Sequence, residues 1–97
     1  MKIFPDPIAF EWDKGNIDKN LKKHKVTNQE TEETFSNNPF VISEDIKHSR
    51  KEKRFQALGK TNKGRLLFLS FTIRNDKVRI ISIRDMSKKE KIMYEKT

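Results

Sequence analysis

His48 and His24 are the two side chains of this sequence that titrate near neutral pH without perturbation, so proton transfer at neutrality would start with them. His48 lies in the polar stretch 44–51 (EDIKHSRK), a predicted loop that leads into Glu52 and Arg54. His24 falls at the C-terminal end of a predicted helix, where an imidazolium is electrostatically welcome, and capping or packing is the role that this position predicts. Arginine is the side chain suited to two-point contact with phosphate, and every arginine, from Arg50 to Arg84, lies in the second half. There is no cysteine, no H-x-x-x-H pair and no tight carboxylate cluster, so the sequence predicts no metal and no cofactor. The three glycines are isolated and form no phosphate-cradling loop.

The elements that must position these groups centre on Val78 to Lys96 (VRIISIRDMSKKEKIMYEK), which reads as a strand, a tight turn and a closing helix. Simple alternation puts Val78, Ile80, Ser82 and Arg84 on one side and Arg79, Ile81, Ile83 and Asp85 on the other. Arg79 and Arg84 should then face opposite sides unless a bulge intervenes. Both faces mix aliphatic groups with an arginine, which predicts a central strand. Ser87 and Glu90 form a capping box that fixes the start of the helix. Met86, Ile92, Met93 and Tyr94 are its packing residues, and Lys88, Lys89, Lys91 and Lys96 face solvent or phosphate. Strand-end arginines, a basic helix and a tyrosine make a cradle for an RNA backbone, with Arg65, Lys88 and Lys89 as RNA-binding candidates. The plainer reading of the stretch is a strand and a solvated amphipathic helix.

Ninety-seven residues make one domain, 1–97, and with 33% hydrophobic and 37% charged residues its core must be small. Seven phenylalanines and one tryptophan raise the apolar area. No apolar run approaches the roughly 20 residues that span a bilayer, and no signal-peptide pattern follows the N-terminal Met-Lys. The expectation is a cytoplasmic protein without a membrane partner. Net charge is +8; residues 1–48 carry a net −2 and residues 49–97 a net +10. A one-sided basic half favours a polyanion or an acidic protein as partner.

In chain order, Ile8 to Trp12 alternates like a strand, with Ile8, Phe10 and Trp12 on one side and Trp12 in the core. Asp13 to Lys25 reads as a helix capped by Asp13, weakened at Gly15, with Ile17 and Leu21 on its apolar stripe. Thr27 and Glu30 form a capping box for a second helix that runs to Phe35 and stops at Ser36-Asn37-Asn38-Pro39. Short strands follow at Phe40–Ser43 and Glu52–Gly59, the latter with Phe55 and Ala57 inward. A Gly-containing hairpin turn at Lys60–Gly64 leads to Arg65–Arg74, with Leu67, Leu69, Phe71 and Ile73 on one face. Asn75-Asp76-Lys77 turns the chain into the last strand. The order β-α-α-β-β-β-β-α predicts an α+β fold, an antiparallel β-sheet with two N-terminal helices and one C-terminal helix.

The chain resembles the BrnT toxins of type II toxin–antitoxin systems. The resemblance rests on Phe10-Glu11-Trp12-Asp13, Lys14, Asn20-Leu21, Lys23-His24 and Val26. It continues through Asp45, His48-Ser49, Glu52 and Arg54, and ends on Ala57-Leu58-Gly59, Gly64-Arg65-Leu66-Leu67, Arg79-Ile80-Ile81-Ser82, Arg84, Glu90 and Tyr94-Glu95. It covers nearly the whole chain through an ordered set of matches rather than one short motif. Two departures are Lys25, where a glycine often follows Lys-His, and Ile83, where a small residue often precedes the arginine. The resemblance implies a RelE-like ribonuclease fold and metal-independent RNA cleavage that arrests translation. It also implies neutralisation by a cognate BrnA-like antitoxin, a ribbon-helix-helix protein, with operator DNA bound only through the toxin–antitoxin complex.

Metal-free cleavage uses the ribose 2′-OH against the adjacent phosphate and needs a proton acceptor, a proton donor and cations for the phosphorane. His48 is the better proton-transfer candidate. Glu52 could act as base or orient an arginine, and Arg54, Arg65, Arg79 and Arg84 are the phosphate candidates. Arg84 is expected to be the one least tolerant of lysine, because it ends its strand beside the basic helix. Tyr94 could stack on a base or donate a proton, although half-buried packing is the commoner fate of a lone helix tyrosine. Two other classes fit the same composition: a non-catalytic RNA- or ribosome-binding module, and a protein-interaction partner whose basic face takes an acidic chain.

Overall fold

The computed structural model describes residues 8–13 and 20–97. Their elements are β1 (Phe10–Glu11), α1 (Asn28–Ser36), β2 (Val41–Glu44), a 3-10 turn (Ile46–His48), β3 (Arg54–Lys60), β4 (Leu66–Arg74), β5 (Lys77–Asp85) and α2 (Lys88–Glu95). A helical stretch at 20–24 precedes α1; residues 14–19 of the helix expected over 13–25, with Gly15 and Ile17, lie outside the described residues. The strands form one sheet in the order β1-β5-β4-β3-β2. The α+β class therefore holds. The sheet is antiparallel from β2 to β5, while β1 is only Phe10–Glu11 and runs parallel to β5. The middle of the sheet is β4, and β5 has a neighbour on each side.

Both capping boxes form as the sequence spells them. The Thr27 hydroxyl accepts from the Glu30 amide while the Glu30 carboxylate accepts from the Thr27 amide, and Ser87 and Glu90 do the same for α2. Asn75 and Asp76 take left-handed φ values of 53° and 61°, the geometry of a two-residue hairpin loop between β4 and β5.

The two sheet faces have different tasks. Leu67, Leu69 and Phe71 of β4, Ala57 of β3 and Val78, Ile80 and Ile83 of β5 are buried on one face, with Val26 over them. Phe35 of α1 lies against this layer, 5.1 Å from Phe10, 4.7 Å from Phe40 and 5.3 Å from Phe71 between ring centres. The helix has few apolar groups, and it closes the gap by approaching the sheet with small ones. Thr31 and Thr34 are buried and satisfy their hydroxyls on the carbonyls of Thr27 and Thr31. A Cβ on Gly59 would stand only 3.0 Å from the Thr34 Cβ and 3.1 Å from the Phe40 ring, so the glycine permits this close approach. Trp12 packs against the same core and donates its indole N–H to Glu32 at 2.8 Å. Leu21, expected on a buried stripe, is half exposed, and Asn20 and Val26 are the buried residues of that segment.

The opposite face is covered only at one end. There Tyr94 of α2 and Met86, just ahead of the helix, pack on Leu58, Val41, Leu66 and Phe68. Residues 90 and 94 of α2 are four positions apart and share one side of the helix. Ile92 and Met93, expected to pack, are about half exposed.

Lys25 ends the first helical stretch with φ 56° and donates its amide to the Leu21 carbonyl, the left-handed helix cap that glycine adopts without strain. An L-residue there costs about 1 kcal/mol or more. Lys25→Gly is therefore expected to raise the melting temperature by several degrees. A thermal melt followed by circular dichroism checks this, and an unchanged or lower midpoint would sink it.

Candidate active site

The alternation expected along β5 does not hold through its whole length. Ser70 of β4 pairs with Ser82, but Phe71 pairs with Ile80, so Ile81 is an extra residue in the ladder. This bulge resets the phase of the strand. Val78, Ile80 and Ile83 all reach the core, and Arg79 and Arg84 fall on the same face, opposite Thr72 and Phe68. The expectation that these arginines face opposite sides is thus corrected. Arg54 of β3 is also opposite Thr72, so Arg54, Thr72 and Arg79 make one cross-strand row on the face that α2 leaves partly open.

The arginines on and around this face differ in what already occupies them. Arg79 donates to Glu11 at 2.9 Å and Asp13 at 2.7 Å. Arg84 holds both oxygens of Glu90 at 2.8 and 2.9 Å and lies 4.2 Å above the Phe68 ring. That clasp pulls the Glu90 carboxyl down to about 2, with partial burial opposing and the cap bonds to Ser87 adding to it, so Glu90 stays ionised and neutralises Arg84. Arg65 bridges Asp85 at 2.8 Å, Glu30 at 3.2 Å and the carbonyls of His24 and Lys25, which ties the first helical stretch and α1 to the end of β5. Arg74 pairs with Glu52 at 3.0 Å. Among the described residues, the side chains of Arg50 and Arg54 make no hydrogen bond or ion pair, and of these two only Arg54 is part-buried on the sheet.

Beside Arg54 the 44–51 segment folds into a compact loop. Its 3-10 turn at Ile46–His48 is closed by Ser49, whose hydroxyl donates to the Asp45 carbonyl at 2.6 Å and accepts from the Arg54 amide at 3.0 Å. The Asp45 amide in turn donates to the Arg54 carbonyl at 2.7 Å. These bonds fix the loop to the start of β3 and bring His48 to Arg54. His48 Nδ1 lies 2.9 Å from Asp45 Oδ2, and Gln56 Nε2 donates to the same oxygen at 3.2 Å. With its Nδ1–H given to the carboxylate, the ring presents Nε2 outward, and 54% of its side chain is exposed. Partial burial pushes the Asp45 carboxyl up, but the hydrogen bond and charge of His48 outweigh it, and Asp45 sits below the usual aspartate range. His48, Arg50, Lys51, Glu52 and Arg54 together line an open cleft of about 330 Å³.

Three sequence candidates, His48, Glu52 and Arg54, thus share one cleft. Arg79 stands one strand beyond Arg54's neighbour in the same row, and Arg84 and Lys89 lie toward α2. Arg65 is engaged by Asp85 and Glu30 and does not line the cleft, and Lys88 is exposed on the first turn of α2. Tyr94 is buried on the sheet-facing side of α2 and donates its hydroxyl to the Pro39 carbonyl at 2.6 Å; burial raises its pKa. That bond accounts for its position without any contact to the cleft. Asp45 and Gln56 were not singled out by residue type for chemistry. The Asp-x-x-His spacing across one turn was the available signal for Asp45, whereas Gln56 depends on strand pairing.

Residues 12–90 match the family described as ribonuclease toxin, BrnT, of type II toxin–antitoxin system. The chain belongs to this family. Ribonuclease toxicity and a protein antitoxin are what a BrnT family member of a type II system has. The match spans every candidate in the BrnT cleft and on the sheet, and stops short of Tyr94. Among curated proteins no relative matches the chain. No helix among the described residues is long and apolar enough to cross a membrane.

Proposed function

We propose that this BrnT chain cleaves RNA without a metal, in the cleft of His48, Glu52 and Arg54, and that it arrests translation in the cytoplasm. The carrying observation is the His48–Asp45 pair set beside the unpaired guanidinium of Arg54. In the reaction, Glu52 takes the proton of a ribose 2′-OH as the O2′–P bond forms. His48, as an imidazolium whose charge faces Asp45, gives its Nε2 proton to the 5′-oxygen as the P–O5′ bond breaks. The products are a 2′,3′-cyclic phosphate and a free 5′-OH. Arg54, with Arg50 and Lys51, stabilises the charge on the phosphorane oxygens. Arg79 and Arg84, on the same sheet face, hold neighbouring phosphates once RNA competes with their carboxylate partners, and Lys88 and Lys89 extend the cationic track.

A RelE-like arrangement suits this reading, since the sheet offers one face to the core and the other to RNA. The partner in this proposal is a BrnA-like ribbon-helix-helix antitoxin that neutralises the toxin and alone brings the complex to operator DNA. The deciding experiment incubates the purified chain with a short labelled RNA in EDTA. Cleavage that persists and leaves 2′,3′-cyclic phosphate ends is the expected result. Activity lost in EDTA and restored by a divalent ion would overturn the metal-free mechanism, and salt-dependent binding with no cleavage would favour a non-catalytic RNA-binding module.

A further inference from the structure

A second pocket lies on the same sheet face, between β2, β3 and the first turns of α2. Its volume is about 260 Å³, and Val41, Leu58, Phe68 and Met93 form an apolar slot with Gln56 and Lys89 at its edge, beside Ser87 and Glu90, which the α2 cap and Arg84 already engage. Phe68 is the aromatic residue of this lining, and Arg84, 4.2 Å over its ring, holds that ring in place as the slot's flat wall. Gln56 joins this pocket to the cleft, because its Nε2 donates to Asp45, the partner of His48. Along β3, Gln56 and Arg54 are on the same face two residues apart, about 6.6 Å. Gln56 spends one amide hydrogen on Asp45, and among the described residues its Oε1 and the Lys89 ammonium make no hydrogen bond.

We infer that this pocket receives one unstacked nucleobase of the RNA, adjacent to the phosphate cut in the cleft. The inference rests on the reading of the cleft as the cleavage site. A planar base fits an apolar slot with a flat wall. Its edge meets one acceptor, Gln56 Oε1, and one donor, Lys89 Nζ, which is the pairing that separates bases by their Watson–Crick edges. The base must leave its stack to enter, so RNA recognised here is single-stranded. Seating the base also presses on the Gln56–Asp45–His48 chain, which links recognition to the orientation of the proton donor.

The test scans a short RNA with a single abasic position moved one nucleotide at a time past the cleavage site. One position is expected to lose roughly tenfold or more in kcat/KM, the range that a stacked base supplies, while the others change little. Val41→Phe, which fills the slot, should abolish that selective loss, and Met93→Ala, at an exposed position, should reduce it. Melting curves establish that both variants fold. Equal cleavage at every abasic position, or a selective loss that survives in both folded variants, overturns the inference. If the chain cuts no RNA of the series, the cleavage reading itself has failed, and with it the premise of the pocket. If filling the slot spares the abasic pattern yet abolishes neutralisation by the antitoxin, the pocket belongs to the protein partner and the inference is wrong.

Discussion

His48→Gln is expected to lower kcat on RNA by roughly 10²–10⁴-fold, the share a well-placed acid or base contributes. KM should change little, because the ring moves a proton in the transition state and adds little to ground-state binding. The fold should survive, since the side chain is 54% exposed and its one hydrogen bond, to Asp45, links positions three residues apart. Glutamine preserves a donor toward Asp45 and removes only the titrating ring. Asp45→Asn should cost less, about tenfold to a hundredfold, because the imidazole remains but loses its fixed orientation and the carboxylate facing its charge. A growth assay for toxicity, steady-state kinetics on a short RNA and a thermal melt separate these outcomes. A His48→Gln protein that melts normally and cuts RNA at the original rate would remove His48 from the mechanism and leave the proton transfers to Glu52 and water.

The parts of this fold that were legible in the sequence are those specified by neighbours within four residues. Thr27–Glu30 and Ser87–Glu90 announced both helix starts, and the run from Leu66 to Arg74 announced its strand and its buried face. Lys25, noted only as standing where a glycine often follows Lys-His, turns out to occupy a left-handed cap with φ 56°. What was not legible depends on residues far apart. The bulge at Ile81 is set by the pairing of β5 with β4, and it carries Arg84 to the face of Arg79. The adjacent Ile80 and Ile81, followed by a core residue three positions after Ile80, were the local trace of it. The partners of Arg79 lie 66 and 68 residues away in the acidic half, and those of Arg65 include one 35 residues away. The charge imbalance between the halves therefore overstated the cations free for RNA. Folding spends Glu11, Asp13 and Glu30 on arginines that the sequence alone offered to phosphate. Met93 and Tyr94 were both expected to pack, and only Tyr94 is covered, because the docking of α2 on the sheet fixes which of its apolar residues face inward.

Arg54→Lys should then be the least tolerated arginine-to-lysine change for activity, in place of the Arg84 expected from strand position. Arg54 keeps its guanidinium free of carboxylates among the described residues, whereas Arg84 is held by Glu90, itself ionised down to about pH 2. A lysine at 54 retains the charge and loses the planar fork that spans two phosphate oxygens. Losing one preorganised donor to a developing oxyanion costs about 10²–10³-fold in kcat, so a decrease near a hundredfold is expected. The melting temperature should stay within a few degrees, since no folded-state ion pair is broken. Arg65→Lys should behave in the reverse way. It cannot reproduce the contacts to Asp85, Glu30 and two carbonyls, so stability falls while the turnover of the folded fraction is kept. Measuring kcat and the melting midpoint for Arg54→Lys, Arg65→Lys and Arg84→Lys together therefore gives a pattern and not a single number. If Arg54→Lys remains fully active while Arg84→Lys is inactive and folded, the scissile phosphate lies at the α2 end of the face, with Glu90 as the group it displaces, and the cleft at His48 is not where RNA is cut.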